Sequence, residues 1–93
     1  NLRREAMELK FKNLFKRNAK KLTSWKNKLK DKINIAIFDF SKKLFSSKFY
    51  SKPLKNVWKN IHELEVWWDT RIIVEVLVLD NLIIFLNIWT HSS

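Results

Sequence analysis

Two histidines, nine carboxylates and a scatter of serines are the side chains that could carry proton transfer, metal binding or acyl chemistry in this 93-residue chain. His62 and His91 lie 29 residues apart, and neither has a second imidazole at helical spacing. His62, Glu65 and Asp69 could share one helical face and approach a zinc ion, but a fourth protein ligand is missing. Beside two glutamates, His62 reads more simply as a surface histidine. Glu63 and Glu65 are two apart, which on a helix points them in different directions and excludes an acid/base pair. No Gly-x-Ser-x-Gly turn surrounds any serine. With no glycine at all, a phosphate-cradling loop cannot be built, and with no cysteine neither disulfides nor thiolate metal sites are available. The chain is therefore expected not to be an enzyme, and to use no cofactor, metal or small-molecule substrate.

Charge points to binding instead. The net charge is +10, unevenly spread. Residues 1–60 carry eighteen Lys/Arg against four acids, a net +14, whereas residues 61–93 carry Arg71 against five acids, a net −4. Such a front suits RNA, DNA or an anionic lipid surface. Lysine far outnumbers arginine, which favours point-charge contact with phosphates over bidentate base reading. Lys16, Lys20, Lys21, Lys26, Lys28, Lys30, Lys42 and Lys43 are the candidate contacts to an anionic surface. Phe11, Phe15, Trp25, Phe38, Phe40 and Phe45 lie among the lysines, a mixture that fits a membrane-surface helix, RNA packing or an ordinary amphipathic core stripe.

The elements that would position these residues read as helices. From Phe15, apolar residues recur at Ala19, Leu22, Trp25, Leu29, Ile33, Ala36, Phe40 and Leu44, a mean step of 3.6 residues. Residues 3–46 are expected to form one amphipathic helix or two in series, with Thr23-Ser24 as a cap at the break. Ile33, Ile35 and Ile37 alternate as in a strand, but the longer helical run outweighs them. Ser46 to Pro53 reads as the one connector. A second helix should begin near Pro53, with Val57, Trp58, Ile61, Leu64 and Trp68 on one side. The lack of glycine supports long helices and few turns.

Residues 72–89 are nearly continuous apolar sequence, broken by Glu75, Asp80, Asn81 and Asn87. A spanning helix would rise about 27 Å, near the roughly 30 Å of a hydrocarbon core. Trp67 and Trp68 at one end and Trp89 at the other would sit at the interfaces. Its thirteen Ile, Val, Leu and Phe contribute roughly −6 kcal/mol, but Glu75 and Asp80 cost about 3 kcal/mol each, so it should not insert alone. Arg71, one helical turn before Glu75, would partly offset that cost. A β-hairpin of 72–79 and 82–89, turning at Asp80-Asn81, is the second structure, and a helix buried in an assembly the third. In every case something outside the chain is expected to cover this segment.

The expected fold is thus mainly α: a basic helical arm over 1–46, a linker over 47–53, and a second helix running into the apolar segment over 54–93. The expected function is an accessory structural subunit of a large assembly, an organellar membrane complex of the mitochondrial inner membrane or matrix. Its partners would be other protein subunits and lipid headgroups. Trp67, Trp68, Arg71, Glu75, Asp80 and Trp89 would form the anchor. An RNA-binding structural subunit of a ribonucleoprotein such as an organellar ribosome is the alternative, and a small membrane-active peptide or toxin a third reading.

Overall fold

Helical spacing in the front half and β-branched alternation in the back half divide the chain between two kinds of structure. The computed structural model describes residues 7–54 and 59–90. In chain order these form strand β1 (Glu8–Phe11), helices α1 (Asn13–Thr23) and α2 (Asn27–Lys43), and strands β2 (Tyr50–Pro53), β3 (Ile61–Trp67), β4 (Thr70–Leu77) and β5 (Leu82–Thr90). The five strands make one sheet in the order β1-β5-β4-β3-β2. Only β1 and β5 run parallel. The architecture is mixed α/β, not the mainly helical one expected.

The helical stripe of the front half is buried with one exception. Phe15, Leu29, Ile33, Ala36, Phe40 and Leu44 are buried, and Ala19 and Leu22 are packed against the same core. Trp25 alone is left out, because α1 ends at Thr23 and the turn of residues 24–26 swings its ring into solvent. Ile35 is exposed on α2, as the helical period requires of a residue off the stripe. The described residues ahead of α1 do not continue the helix. Glu8–Phe11 instead becomes an edge strand in register with Leu82–Phe85.

The expected second helix is replaced by strands. Ile61 and Leu64, three apart, would share a helical face, but in β3 they lie on opposite faces of the sheet. Pro53 closes β2 at the sheet edge, where its missing N–H costs no ladder bond. Val57 and Trp58 lie outside the described residues. For 72–89 the structure adopts the hairpin, with β4 and β5 paired from Thr70↔Thr90 to Leu77↔Leu82. A register shift between Ile73 and Val74 leaves one extra residue on β5, so Phe85 and Ile88, three apart, both face the helices.

The cover for one face of this apolar segment comes from the chain's own helices, where an outside partner was expected. Ile72, Val74, Val76, Ile83, Phe85 and Ile88 pack in one cluster with Phe15, Leu29, Ile33 and Phe40 of the helices. Each fully buried side chain of this size contributes about 1.5–3 kcal/mol. Phe85 is central to the cluster: its ring stacks on Phe11 at 4.8 Å and lies 5.7 Å from Phe15, joining β1, α1 and β5.

Turns without glycine are made by other residues. Asn60 and Asn81 adopt positive φ of 67° and 54°, and Leu44 does so at 52°. Asn tolerates this region better than other residues with a Cβ. Leu44 keeps its place at the end of α2 while its side chain is buried in the core. Two outcomes are expected in chemical denaturation. Phe85→Ala should lose about 3–5 kcal/mol of stability, and Asn81→Val about 1–2 kcal/mol while Asn81→Gly loses little. A Phe85→Ala loss below about 1 kcal/mol would contradict its central place in the core.

Candidate functional site

Both helices pack on one face of the sheet, and among the described residues no helix covers the other. Residues two apart on a strand point the same way, so Glu63 and Glu65 of β3 share this open face. Arg71 of β4 stands opposite Glu65 in the pairing register. Its Nε donates to Glu63 Oε2 at 2.9 Å, and its Nη1 lies 3.9 Å from Glu65 Oε2. Nη1 also donates to the carbonyls of Trp67 and Trp68, at 3.1 and 3.3 Å, which fixes the turn between β3 and β4. Arg71 and Glu63 are largely shielded from solvent, whereas the Glu65 side chain is half-exposed. One carboxylate is therefore locked on the guanidinium and the other is held loosely.

Aromatic surfaces flank this trio. Trp89 of β5 is the cross-strand neighbour of Arg71 on its other side and is 40% exposed. Trp68, in the β3–β4 turn, is 72% exposed. Trp67 is half-buried against the core. An open cleft of about 440 Å³ runs from Glu65 and Trp68 to Lys48, Phe49 and Tyr50. Guanidinium, carboxylates, indoles and a lysine on one open surface can hold a phosphate, move a proton and stack on a flat ring.

The residues singled out from the sequence are thus distributed. Trp67, Trp68, Arg71 and Trp89 do gather at one end of the sheet. Glu75 does not join Arg71: in a strand, four residues separate them by about 13 Å, and Glu75 is paired across from Ile61 and Ile84. Asp80 is exposed at the far end, in the β4–β5 turn. Lys16, Lys20 and Lys21 on α1, Lys26 in the turn, and Lys28, Lys30, Lys42 and Lys43 on α2 are all exposed. Lys43 reaches Asp39 at 3.4 Å.

Spacing alone missed the Glu63–Glu65–Arg71 trio because its argument assumed a helix. With β3 in place of that helix, the two carboxylates are brought together, and the case against catalysis from their spacing falls. The strand period of Glu63 and Glu65 alternating with Leu64 and Val66 was the available signal. His62 points to the helix side instead, where Tyr50 Oη and His62 Nδ1 are 3.0 Å apart and Phe45 packs on the imidazole at 4.8 Å. His62 and Glu65, on opposite faces of β3, cannot share a metal ion, and no cluster of three such ligands occurs among the described residues. His91, one residue past β5, lies outside them. Nearby, Ser47 donates to Asp39 at 2.6 Å and accepts from the Phe49 amide at 3.1 Å, which fixes the turn leading to β2. That bond, ahead of the Lys43 contact, holds the Asp39 carboxyl below its ordinary range.

Comparison with solved structures finds the same fold in bacterial toxins. The Escherichia coli DinJ–YafQ toxin–antitoxin complex contains a chain 20% identical, with 95% of this chain and 96% of that one covered at a TM-score of 0.76. A metal-bound toxin from Helicobacter pylori is 18% identical over 92% of this chain and 96% of its own, with a TM-score of 0.71. The YoeB dimer of Staphylococcus aureus is 15% identical over 94% and 99%, also at 0.71. No family model and no curated protein matches the sequence. At these identities the likeness establishes the fold.

Several expectations fall with it. The neighbours include toxins of toxin–antitoxin complexes, and none is an accessory subunit of an organellar membrane complex or a structural subunit of an organellar ribosome. The partner seen with YafQ is one protein, DinJ, where a large complex with lipid headgroups was expected. No described helix is long and apolar enough to cross a membrane, and the neighbours are bacterial, so the mitochondrial inner membrane or matrix loses its support.

Burial lowers the His62 pKa below its ordinary 6.5. Its neutral form therefore favours folding: this contribution is complete above pH 6.5 and is lost as pH falls from 6.5 towards the lowered value. The thermal midpoint should drop between pH 7.5 and 5.5, and less steeply in His62→Gln. Identical pH profiles for the two proteins would exclude His62 as the cause.

Proposed function

We propose that this chain is the toxin of a toxin–antitoxin pair and that it cleaves RNA on the open face of its sheet. One observation carries the reading. Arg71 and two carboxylates share the uncovered face of a sheet whose fold, over more than nine-tenths of the chain, is that of YafQ and YoeB. In this reading an RNA phosphate docks on the Arg71 guanidinium, taking the place of the loosely held Glu65. Glu65, released beside it, accepts the proton of the ribose 2′-hydroxyl. The 2′-oxygen attacks the adjacent phosphorus, and the bond to the 5′-oxygen breaks as water protonates it. A 2′,3′-cyclic phosphate and a 5′-hydroxyl end result. Arg71 offsets the charge gathering on the phosphoryl oxygens. Glu63 keeps Arg71 in place through the 2.9 Å contact, and Trp68 and Trp89 offer flat faces to the neighbouring bases.

The partner in this reading is a single antitoxin. A net charge of +10 suits an acidic one, which would compete with RNA for the same surface. Purified protein should cleave RNA, and Arg71→Gln should reduce the rate about 100- to 1000-fold with the far-ultraviolet circular dichroism retained. Glu65→Gln should lower the rate with the fold retained. Absence of RNA cleavage by the wild-type protein, or unchanged cleavage by folded Arg71→Gln, would refute the assignment.

A further inference from the structure

We infer that the turn between α1 and α2 is a second RNA-contacting element, which extends the binding track beyond the reacting phosphate to single-stranded RNA several nucleotides long. This rests on the RNA reading above and adds to it the length and strandedness of the substrate. Trp25 is 77% exposed on this turn and takes no part in the core. Lys26 places its Nζ 4.8 Å from the Trp25 ring centre, which makes a cation beside a flat aromatic face. From Lys20 to Lys32 the chain carries six lysines and one acid, Asp31. That is the charge complement of a phosphate backbone.

Position connects this turn to the site. Lys26 and Leu29 line a cleft of about 200 Å³ with Trp67, Trp68, Asp69 and Thr70. Lys32 Nζ also lies 5.9 Å from the Trp67 ring. The cleft therefore runs from the turn that Arg71 fixes to Lys26, whose ammonium also lies against the exposed Trp25 ring. Alternating cations and exposed aromatic faces are the means by which proteins track single strands without reading sequence. A stacked base on Trp25 and a phosphate on Lys26 follow from this order.

Binding and cleavage of a 12-nucleotide single-stranded RNA and of a trinucleotide test the inference. Trp25→Ala should weaken binding of the 12-mer at least fivefold, and Lys26→Gln should reduce the slope of log affinity against log salt by about 0.7. The loss should be confined to the longer RNA, since the trinucleotide is too short to reach the turn. Equal 12-mer affinity in both variants and wild type would overturn the inference, while Arg71→Gln acting on the trinucleotide separately reports the cleavage reading. Loss of binding to phosphatidylglycerol vesicles in Trp25→Ala, with 12-mer affinity unchanged, would overturn it in favour of a membrane contact. An equal loss on double-stranded RNA would overturn the single-strand assignment.

Discussion

The structure depends on the pairing of its first described strand with its last. β1 lies parallel to β5, and Phe11 and Phe15 close on Phe85 from the strand and the helix that follows it. This contact brings residues seventy or more positions apart into one cluster, and it lays the two helices over the apolar hairpin. Without it, the most apolar segment of the chain would have no cover from within. The remaining core adds area to a topology that this junction already closes. Long-range strand pairing is entropically costly to form, so the aromatic burial at the junction must offset it.

Covering one face of the sheet leaves the other for function. A two-layer protein of this length has helices enough for one side. The open face is consequently mixed, with apolar residues such as Ile73 and Ile84 beside Glu63, Glu65, Arg71 and Glu75. Carboxylates placed beside a guanidinium satisfy it when no ligand is bound, and they become available when a phosphate displaces them. The trio itself carries one positive charge against two negative ones, while the lysines that attract RNA at longer range sit on the helices. Steering and chemistry are divided between the two layers.

The lack of glycine is met by asparagine and by packing. Asn60 leads into β3 and Asn81 leads into β5, each at positive φ. Leu44 takes the same sign of φ with its side chain held in the core. Burial of that side chain compensates the backbone conformation, a trade that a rule based on residue type alone does not anticipate.

Much of the helical layer was legible in the residues. The stripe from Phe15 to Leu44 marks the buried face of α1 and α2, because helical period is a local property and one apolar face must be buried wherever the helix goes. The apolar character of 72–89 was equally plain, and Asp80-Asn81 stood as the turn that a hairpin there would use. The choice between helix and hairpin was not, since an apolar run satisfies either period. Glu63 and Glu65 show why the site followed the fold: on a helix they diverge, and on β3 they converge on Arg71. Sequence alone determined which residues are greasy, basic or turn-forming. Tertiary structure decided that the front half covers the back half, because that depends on strand pairing between distant segments, which no local pattern encodes.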